Sequence, residues 1–289
     1  FNQAVPKVTG LTRSFGIISL SLLIIFAYKK RTNLFSSTIF SLIVLISIFI
    51  WMGQSRGTLI CYYITSIFFI IFLNNFNQFK KFLIIISITF FSIVASDIII
   101  NIAKNNVLEI EESIETNKIN ESISKDKNML PRIFEIEAGT SGRFTLWKNA
   151  LERYEKNRFF GYGPQGDRVL IDQSNIYGNN VSNTMIYGLL SGGYFSLTIL
   201  ILIYIYTAYI VLNYFLINKI FLNKFSINKE NIFVVASIVY TIFFMIRSLF
   251  ENSFGVFSID FLIVILSLFI IENKTPKKKI NFKLLKSFL

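Results

Sequence analysis

The sequence contains no histidine and one cysteine, and these two absences remove several kinds of chemistry. Histidine is the usual general base near neutral pH and the commonest protein ligand of zinc, so neither role can be filled in the usual way. A single cysteine, Cys61, excludes an intrachain disulfide. Because Cys61 lies within an apolar run, we expect it to be a buried packing residue.

Charged residues are also scarce, whereas apolar residues are abundant. Charged side chains make up 16% of the 289 residues and hydrophobic side chains 53%, against about 25% charged residues in an ordinary soluble domain. The apolar residues come in long runs, which is typical of a membrane protein. The chain begins with Phe1, and its first residues do not form a signal peptide, so we expect further transmembrane helices before it.

Runs of about 20 apolar residues predict helices that cross a hydrocarbon core of about 30 Å. The fifth run is too long for one straight span, so we expect it to begin in or above the interface. The sequence therefore predicts an all-α, polytopic transmembrane bundle of about seven spans. These are Ser14–Tyr28, Leu34–Met52, Thr58–Leu73, Phe82–Ala103, Thr184–Leu216, Asn231–Phe250 and Ser253–Ile271.

Lysine and arginine are concentrated in one set of short connections, and this set is expected to be cytoplasmic. The predicted division is transmembrane helices 1–4 in residues 1–104, an outer loop in 105–183, helices 5–7 in 184–271 and a basic cytoplasmic tail in 272–289. The cytoplasmic clusters are Lys29–Arg31, Lys80–Lys81, Lys219–Lys229 and the tail Lys274–Lys286.

The net charge of +12 is therefore a topology signal. Twelve of the 17 acidic residues fall between residues 105 and 182, which leaves the remaining connections strongly basic. The basic residues are scattered over loop ends and match no nucleic-acid-binding fold, so we expect no nucleic-acid partner.

The outer loop contains one segment that predicts an amphipathic helix. Phe144, Trp147, Leu151 and Tyr154 recur at 3- and 4-residue spacing and form one apolar stripe. Thr140 or Ser141 can cap this helix at its start, and Gly161, Gly163 and Pro164 can end it. Such a helix lies in the membrane interface or covers the end of a bundle.

Four arginines are expected at the outer face: Arg13, Arg56, Arg143 and Arg247. A lone arginine near a helix end can extend its charge to the interface. Several guanidinium groups around one cavity suit a diphosphate, because each offers a permanent charge and bidentate hydrogen bonds. Arg247 and Glu251 are also spaced for an i,i+4 salt bridge that orients Arg247.

Carboxylates and glycines supply further candidates. The acidic candidates for proton transfer are Asp167, Asp172, Glu251 and Asp260, and Asp260 is either such a group or the ion-pair partner of an arginine. The glycines of GYGPQG are not followed by the Lys–Ser/Thr of a nucleotide-binding loop. Gly192 and Gly193 at the start of a span allow close helix packing.

Three motifs occur in the order that a known family shows. They are SRGT at the outer end of a span, SGRFTLWKNALERYEKNRFFGYGPQG in the outer loop, and NNVSNTMIYGLLSGGYFS entering a long helix. Together they resemble the O-antigen ligase and O-antigen polymerase (Wzy/WaaL-like) superfamily, over a range from about Val5 to the end of the chain.

The resemblance implies a GT-C-like glycosyltransferase of the bacterial inner membrane whose active site faces the periplasm. It implies a donor glycan on undecaprenyl diphosphate, a glycan acceptor, and neither metal nor cofactor. Partners would be the bilayer and, as a further candidate, a chain-length regulator. Catalytic roles are expected for Arg56, Arg143 and Glu251. Substrate-binding roles are expected for Arg247, Arg13, Trp147, Tyr162, Ser182 and Asn183.

One departure from the family pattern bears on the reaction. Ligases carry a functional histidine immediately before the asparagine of the third motif, whereas this chain has Ser182 before Asn183. We therefore expect a polysaccharide polymerase, with a ligase or another lipid-linked oligosaccharide transferase as the alternative. A transporter of lipid-linked sugars is a second alternative, although no internal repeat is evident. A structural membrane protein would leave the ordered Trp147–Gly163 segment unexplained.

Overall fold

The computed structural model describes residues 9–28, 33–52, 56–72, 77–99, 101–102, 143–154, 159–164, 166, 181–217, 227–254 and 258–275. These residues form helices and the turns next to them, and none of them lies in a β-strand. The predicted all-α fold class is confirmed. Of the sequence-based candidates, Asp167 and Asp172, and the caps Thr140 and Ser141, lie outside the described residues.

In the described part of the chain, four helices lie before residue 103 and four after residue 142. The first group is α1 (Thr9–Tyr28), α2 (Asn33–Met52), α3 (Arg56–Phe72) and α4 (Gln78–Ile86), the last continuing through a π-helical turn, Ser87–Phe91, into a helical segment at 92–99. The second group is α5 (Arg143–Arg153), α6 (Thr184–Ile217), α7 (Ile232–Arg247) and α8 (Ile259–Lys274).

Among the residues that the structure describes, three helical stretches are long and apolar enough to cross a membrane: Gly10–Tyr28, Lys80–Ile99 and Thr184–Ile217. Shorter apolar helices are Ser36–Trp51, Gly57–Phe72 and Ile232–Arg247. Each helix agrees with a predicted span to within a few residues at most ends, because long apolar runs leave little choice of conformation in lipid. The molecule is therefore a helical membrane protein.

The centre of the bundle is formed by α1, α3 and α7, with α2 packed on α1 and α8 packed on α7. Its core contains the fully buried side chains of Leu20, Tyr62, Phe243 and Phe244. Gly16 of α1 lies against the Phe243 ring, where a Cβ would stand 3.1 Å from a ring carbon. A small residue at this position lets the two helices approach closely, as is common inside membranes.

Cys61 is fully buried in this core, as predicted. It lies on α3 next to Tyr62, whose hydroxyl bonds to Ser19 of α1 and Ser47 of α2 at 2.7 and 2.8 Å. These three hydroxyl groups join α1, α2 and α3 in the middle of the bundle, where no water can replace a missing partner.

The long helix α6 is folded back on itself at two glycines. Gly192 and Gly193 have non-helical backbone angles, and Gly193 has a φ of 64°. A Cβ on Gly188 would meet the side chains of Ser196 and Leu200, which lie about 12 and 18 Å away along a straight helix. The helix therefore forms a V with a first arm at 184–191 and a second arm at 194–217. This agrees with the inference that the fifth run is too long for one straight span, and its expected start in or above the interface stays a prediction.

The amphipathic helix α5 packs on the first arm of α6. A small core forms there from Ala150, Tyr154, Val181 and Leu190. The predicted apolar stripe is wrong at Leu151, which is 42% exposed. The reason is that the small Ala150, one residue earlier, allows the close contact with α6 and turns Leu151 to the side.

Candidate functional site

Polar side chains from four helices meet at the end of the bundle where α1, α3, α6 and α8 begin and α7 ends. At their centre is Arg247, the last residue of α7, which is 6% exposed. Its Nη1 donates to Asp260 Oδ2 at 2.5 Å and to Ser253 Oγ at 2.7 Å. Its Nε donates to Thr58 Oγ1 of α3 at 3.4 Å. One guanidinium thus joins α3, α7, α8 and the turn between the last two.

Arg13 of α1 contributes a second guanidinium to the same carboxylate. Its Nη1 donates to Asp260 Oδ1 at 2.9 Å, and its side chain is 28% exposed, compared with 2% for Asp260. Two arginines and one aspartate carry a net charge of +1 by themselves, and the Glu251 carboxylate, which also attracts the Arg247 guanidinium, offsets it. We call Arg13, Arg247 and Asp260 the charged cluster. Buried ions need partners because desolvation costs several kcal/mol per ion, and here the single carboxylate is shared by two cations.

The hydrogen-bonded ion-pair partner of Arg247 is Asp260, thirteen residues away on the next helix. Glu251, which the i,i+4 spacing indicated as an orienting partner, also attracts the Arg247 guanidinium. Helix α7 ends at Arg247, so Glu251 lies in the following turn, where its backbone N–H donates to the Arg247 carbonyl at 2.8 Å. The alternative reading of Asp260, as an arginine partner, is confirmed.

Thr184 ties the start of α6 to this turn. Its hydroxyl donates to the Glu251 carbonyl at 3.1 Å and accepts from the backbone N–H groups of Ser253 and Phe254 at 3.1 and 3.3 Å. Its own N–H donates to the Ser248 carbonyl at 3.0 Å. The sequence analysis did not select Thr184, since an apolar span with one threonine at its start gives no sign of a tertiary contact.

Asn183 and Ser182 lie beside the same turn. The Asn183 amide donates to the Leu249 carbonyl at 2.8 Å, while its Oδ1 accepts from the Ile186 N–H at 3.0 Å and so caps α6. Ser182 has a positive φ of 48°, which a residue other than glycine seldom adopts. The unusual backbone at Ser182 turns the chain from the outer loop into the capped start of α6.

Trp147 connects α5 to the segment just before α6. Its indole Nε1 donates to the Val181 carbonyl at 2.6 Å, one residue before Ser182. One turn further along α5, Ala150 packs with Leu190 of the first arm, and the Tyr154 ring meets that of Tyr194. Helix α5 therefore runs beside the first arm in the same direction, so its first turn lies towards Ser182.

Arg56 and Arg143 are placed by their backbone, and their side chains lie outside the described atoms. Arg56 is the first residue of α3, two residues before Thr58, and Arg143 is the first residue of α5, four before Trp147. Helix starts carry partial positive charge. Helices α3, α6 and α8 begin at the end of the bundle that holds the charged cluster, and the first turns of α5 lie beside Val181, next to Ser182. In α6 and α8 the caps Asn183 and Ser258 satisfy one N–H each.

Tyr162 lies at the other end of the first arm. Its backbone N–H donates to Leu190 O and that of Gly163 to Ser191 O, both at 2.8 Å. A Cβ on Gly161 would stand 2.6 Å from the backbone N of Gly193, so only glycine fits here. Leu190 is about 9 Å along the helix from Thr184. The turn 159–164 therefore supports the fold of α6 at a distance from the charged cluster.

Arg13, Arg247, Glu251, Trp147, Ser182 and Asn183 are thus brought to one end of the bundle, and Tyr162 is not. The sequence analysis missed Thr58, Thr184 and Ser253, which bond this end together. Nothing in the sequence marks these hydroxyl groups, because their partners lie on other helices or turns. In the part of the chain that the structure describes, no three His, Cys, Asp or Glu side chains lie close enough to hold a metal ion.

Comparison with known proteins gives one family. The model of a family described as O-antigen ligase (Wzy_C) matches residues 40–201, which is more than half of the chain, and the chain therefore belongs to this family. No curated protein and no solved structure matches the chain. The matched range contains Thr58, Trp147, Ser182 and Asn183. The three residues of the charged cluster lie outside this range in sequence, but the fold brings them to the same end of the bundle.

Proposed function

We propose that this member of the O-antigen ligase family is a membrane glycosyltransferase that moves a glycan from a polyprenyl diphosphate carrier to a glycan acceptor. The most specific form of the proposal is a polysaccharide polymerase, in which the acceptor is itself a lipid-linked repeat unit. One observation carries the proposal: the buried charged cluster lies where α3 and α5 begin with Arg56 and Arg143, beside Ser182–Asn183.

The diphosphate of the donor is the group that this end of the bundle suits. Arg13 of the charged cluster is partly exposed while one of its Nη atoms is held by Asp260. Guanidinium groups bind phosphate oxygens through paired, charge-assisted hydrogen bonds. Helix starts add backbone N–H groups and a favourable dipole for anions. Both features act more strongly in a partly dry site than in water.

In the proposed reaction, a hydroxyl oxygen of the acceptor attacks the anomeric carbon of the donor sugar. The bond between that carbon and the diphosphate oxygen breaks, and the polyprenyl diphosphate leaves with the electron pair. Preorganised arginines stabilise the charge that develops on the leaving group. Arg56 and Arg143 are assigned this role, with Arg13 and Arg247 binding the same diphosphate.

The hydroxyl proton needs an acceptor, and Glu251 is the candidate. Its backbone is fixed from both sides, by its own N–H on Arg247 and by its carbonyl on the Thr184 hydroxyl. This places a carboxylate residue beside Asn183, in the same turn as Ser253. A general base must be held within hydrogen-bond reach of the proton that it removes, and a turn held by three helices meets that need.

Ser182 favours a polymerase over a ligase within the family. A ligase would have its functional histidine at this position, and a serine hydroxyl does not act as a base near neutral pH without a partner. The description of the matched family favours the ligase instead. As a ligase, the chain would pass a finished polysaccharide to a lipid A-core acceptor from the same donor type.

The first experiment replaces the two arginines at the helix starts. Arg56→Ala and Arg143→Ala should each abolish long-chain polysaccharide while the protein stays in the membrane at normal abundance. The matched control is Lys229→Ala, an exposed cation in the turn before α7, at the opposite end of the bundle. Full-length polysaccharide from both arginine variants would refute the proposed diphosphate site.

Deletion of the gene distinguishes the two acceptors. Loss of a polymerase should leave single repeat units, some of them already transferred to the final acceptor. Loss of a ligase should leave long chains that remain on the polyprenyl carrier. The lipid-linked glycans are separated by size after extraction, so the length of the carrier-bound chains decides between the two activities.

A further inference from the structure

Four aromatic side chains are exposed together at the tip of the V formed by α6. Phe159 and Phe160 are 74% and 84% exposed, and Phe195 and Tyr194 are 68% and 46% exposed. Phe159 and Phe160 belong to the turn 159–164, and Tyr194 and Phe195 begin the second arm. We call these four residues the tip patch. Its first half lies in the segment that the sequence assigned to the outer loop.

The tip patch is fixed to the bundle. The turn is held on α6 by the N–H groups of Tyr162 and Gly163, which donate to carbonyls at the end of the first arm. The Phe159 ring meets the Tyr194 ring edge to face, with centroids 6.3 Å apart, and Tyr154 packs on the same ring at 6.1 Å. Both halves of the patch therefore keep one position relative to α6.

The patch continues a stripe of exposed apolar residues along the second arm. Phe195 is followed at 3- and 4-residue spacing by a series of exposed side chains on one face of the helix, namely Ile199, Leu202, Tyr206, Tyr209 and Leu212. A helix long and apolar enough to cross a membrane presents such a face to lipid. The tip patch is thus continuous with a lipid-facing surface.

The height of the patch agrees with this surface. The second arm is about 36 Å long at 1.5 Å per residue, compared with a hydrocarbon core of about 30 Å. The last turns of the second arm lie at the end of the bundle opposite the charged cluster, because the Phe215 ring packs on that of Phe72 at the end of α3. The first residues of the arm then reach the boundary between hydrocarbon and headgroups, where aromatic side chains are favoured.

We propose that the tip patch inserts into the lipid leaflet at this end of the bundle, and that the turn 159–164 is a membrane anchor for the outer assembly. The occupant of the patch is the hydrocarbon of the bilayer itself. Since the turn is bonded to the first arm and α5 packs on that arm, the anchor sets the height of α5 relative to the membrane. The inference does not depend on the proposed transferase activity.

Spin labelling of the intact protein tests the insertion. In a Cys61→Ala background, Phe160→Cys is labelled with a nitroxide and the protein is reconstituted in vesicles of phosphatidylethanolamine and phosphatidylglycerol. The label should collide with dissolved oxygen several-fold more than with a water-soluble nickel complex. The matched control is Lys148→Cys on α5, whose side chain is 76% exposed and paired with Glu152. There the nickel complex should dominate.

Two results would overturn the proposal. A label at Phe160→Cys that favours the nickel complex would place the patch in water. A label shielded from both reagents would place it under another protein surface. Phe159→Cys repeats the measurement on the neighbouring side chain, so that poor folding of one variant still leaves a decisive result. If both labels collide more often with oxygen than with the nickel complex, the turn 159–164 is inserted in the membrane as proposed.

Discussion

Two polar clusters connect α1 and α3, one in the middle of the bundle and one at the end where α3 begins. In the middle, Tyr62 bonds to Ser19 and Ser47, all three groups are neutral, and the Ser47 hydroxyl also donates to the Ile43 carbonyl. At the end where α3 begins, Arg13 and Arg247 share Asp260. The neutral cluster is closed on itself, whereas Arg13 of the charged cluster is partly exposed, and the proposed function assigns an anionic ligand to it.

The difference in charge between the two clusters bears on whether each one serves packing or the proposed function. Polar side chains buried inside a membrane bundle need hydrogen-bond partners. Hydroxyl groups can serve as partners for one another without adding a charge. Burying the ions of Arg247 and Asp260 to do the same work is more costly, because each must be desolvated. The proposed donor site would give these charges a role beyond stability. Each prediction below alters one of the two clusters or the contacts around it.

The largest effect should come from Arg247. Arg247→Met removes one of the two partners of a buried carboxylate and should cost about 3–5 kcal/mol of stability. The double variant Arg247→Met/Asp260→Leu replaces the ion pair by apolar groups and should recover most of this loss. Its transferase activity should stay lost, because Arg13 is no longer held. Denaturant unfolding in detergent and a glycan-transfer assay measure the two properties.

Activity in that double variant at the wild-type level would mean that the pair serves only the fold. The charged cluster would then be equivalent to the neutral one, and the comparison would fail.

A second effect concerns the hydroxyl of Thr184. Thr184→Val deprives two buried N–H groups of their acceptor and should cost about 1–3 kcal/mol, with a fall in activity as the turn carrying Glu251 loosens. Thr207→Val is the matched control on the same helix. Its hydroxyl is buried and has no hydrogen-bond partner among the described residues, so its loss should be neutral or slightly stabilising. Equal effects of the two changes would contradict the role of Thr184.

The smallest effect should come from the neutral cluster. Tyr62→Phe leaves two serine hydroxyl groups without this partner and should cost about 0.5–1.5 kcal/mol, as expected for hydrogen bonds between membrane helices. Activity per folded molecule should be unchanged. A large loss of activity at unchanged stability would show that the middle of the bundle also takes part in the reaction.

The helices could be predicted from the sequence because a long apolar run in lipid has one good conformation. The predicted span Thr58–Leu73 became α3, Arg56–Phe72. The fold of α6 was only partly predictable. The length of the run indicated that it is not one straight span, but Gly192–Gly193 were interpreted only as a close-packing pair, and the reversal depends on the turn 159–164, which packs on Gly193.

The site was less predictable than the fold, because its bonds cross between helices. Glu251 is the neighbour of Arg247 in sequence, yet Asp260 is its partner, since α7 ends at Arg247 and α8 returns to it. The structure was needed to identify Thr58, Thr184 and Ser253, because their hydrogen-bond partners lie on other helices or turns. By contrast, Trp147 and Asn183 were selected through the family motif, and both bond at the predicted end of the bundle.

The most direct test of the proposed donor site is the affinity of the purified protein for undecaprenyl diphosphate. Arg13→Gln leaves the Arg247–Asp260 pair in place, and Arg143→Gln changes the first residue of α5. Each should weaken binding at least about tenfold, which corresponds to about 1.4 kcal/mol, while Lys229→Gln should bind as the wild type does. Wild-type affinity in both arginine variants would contradict the assignment of the diphosphate to this end of the bundle.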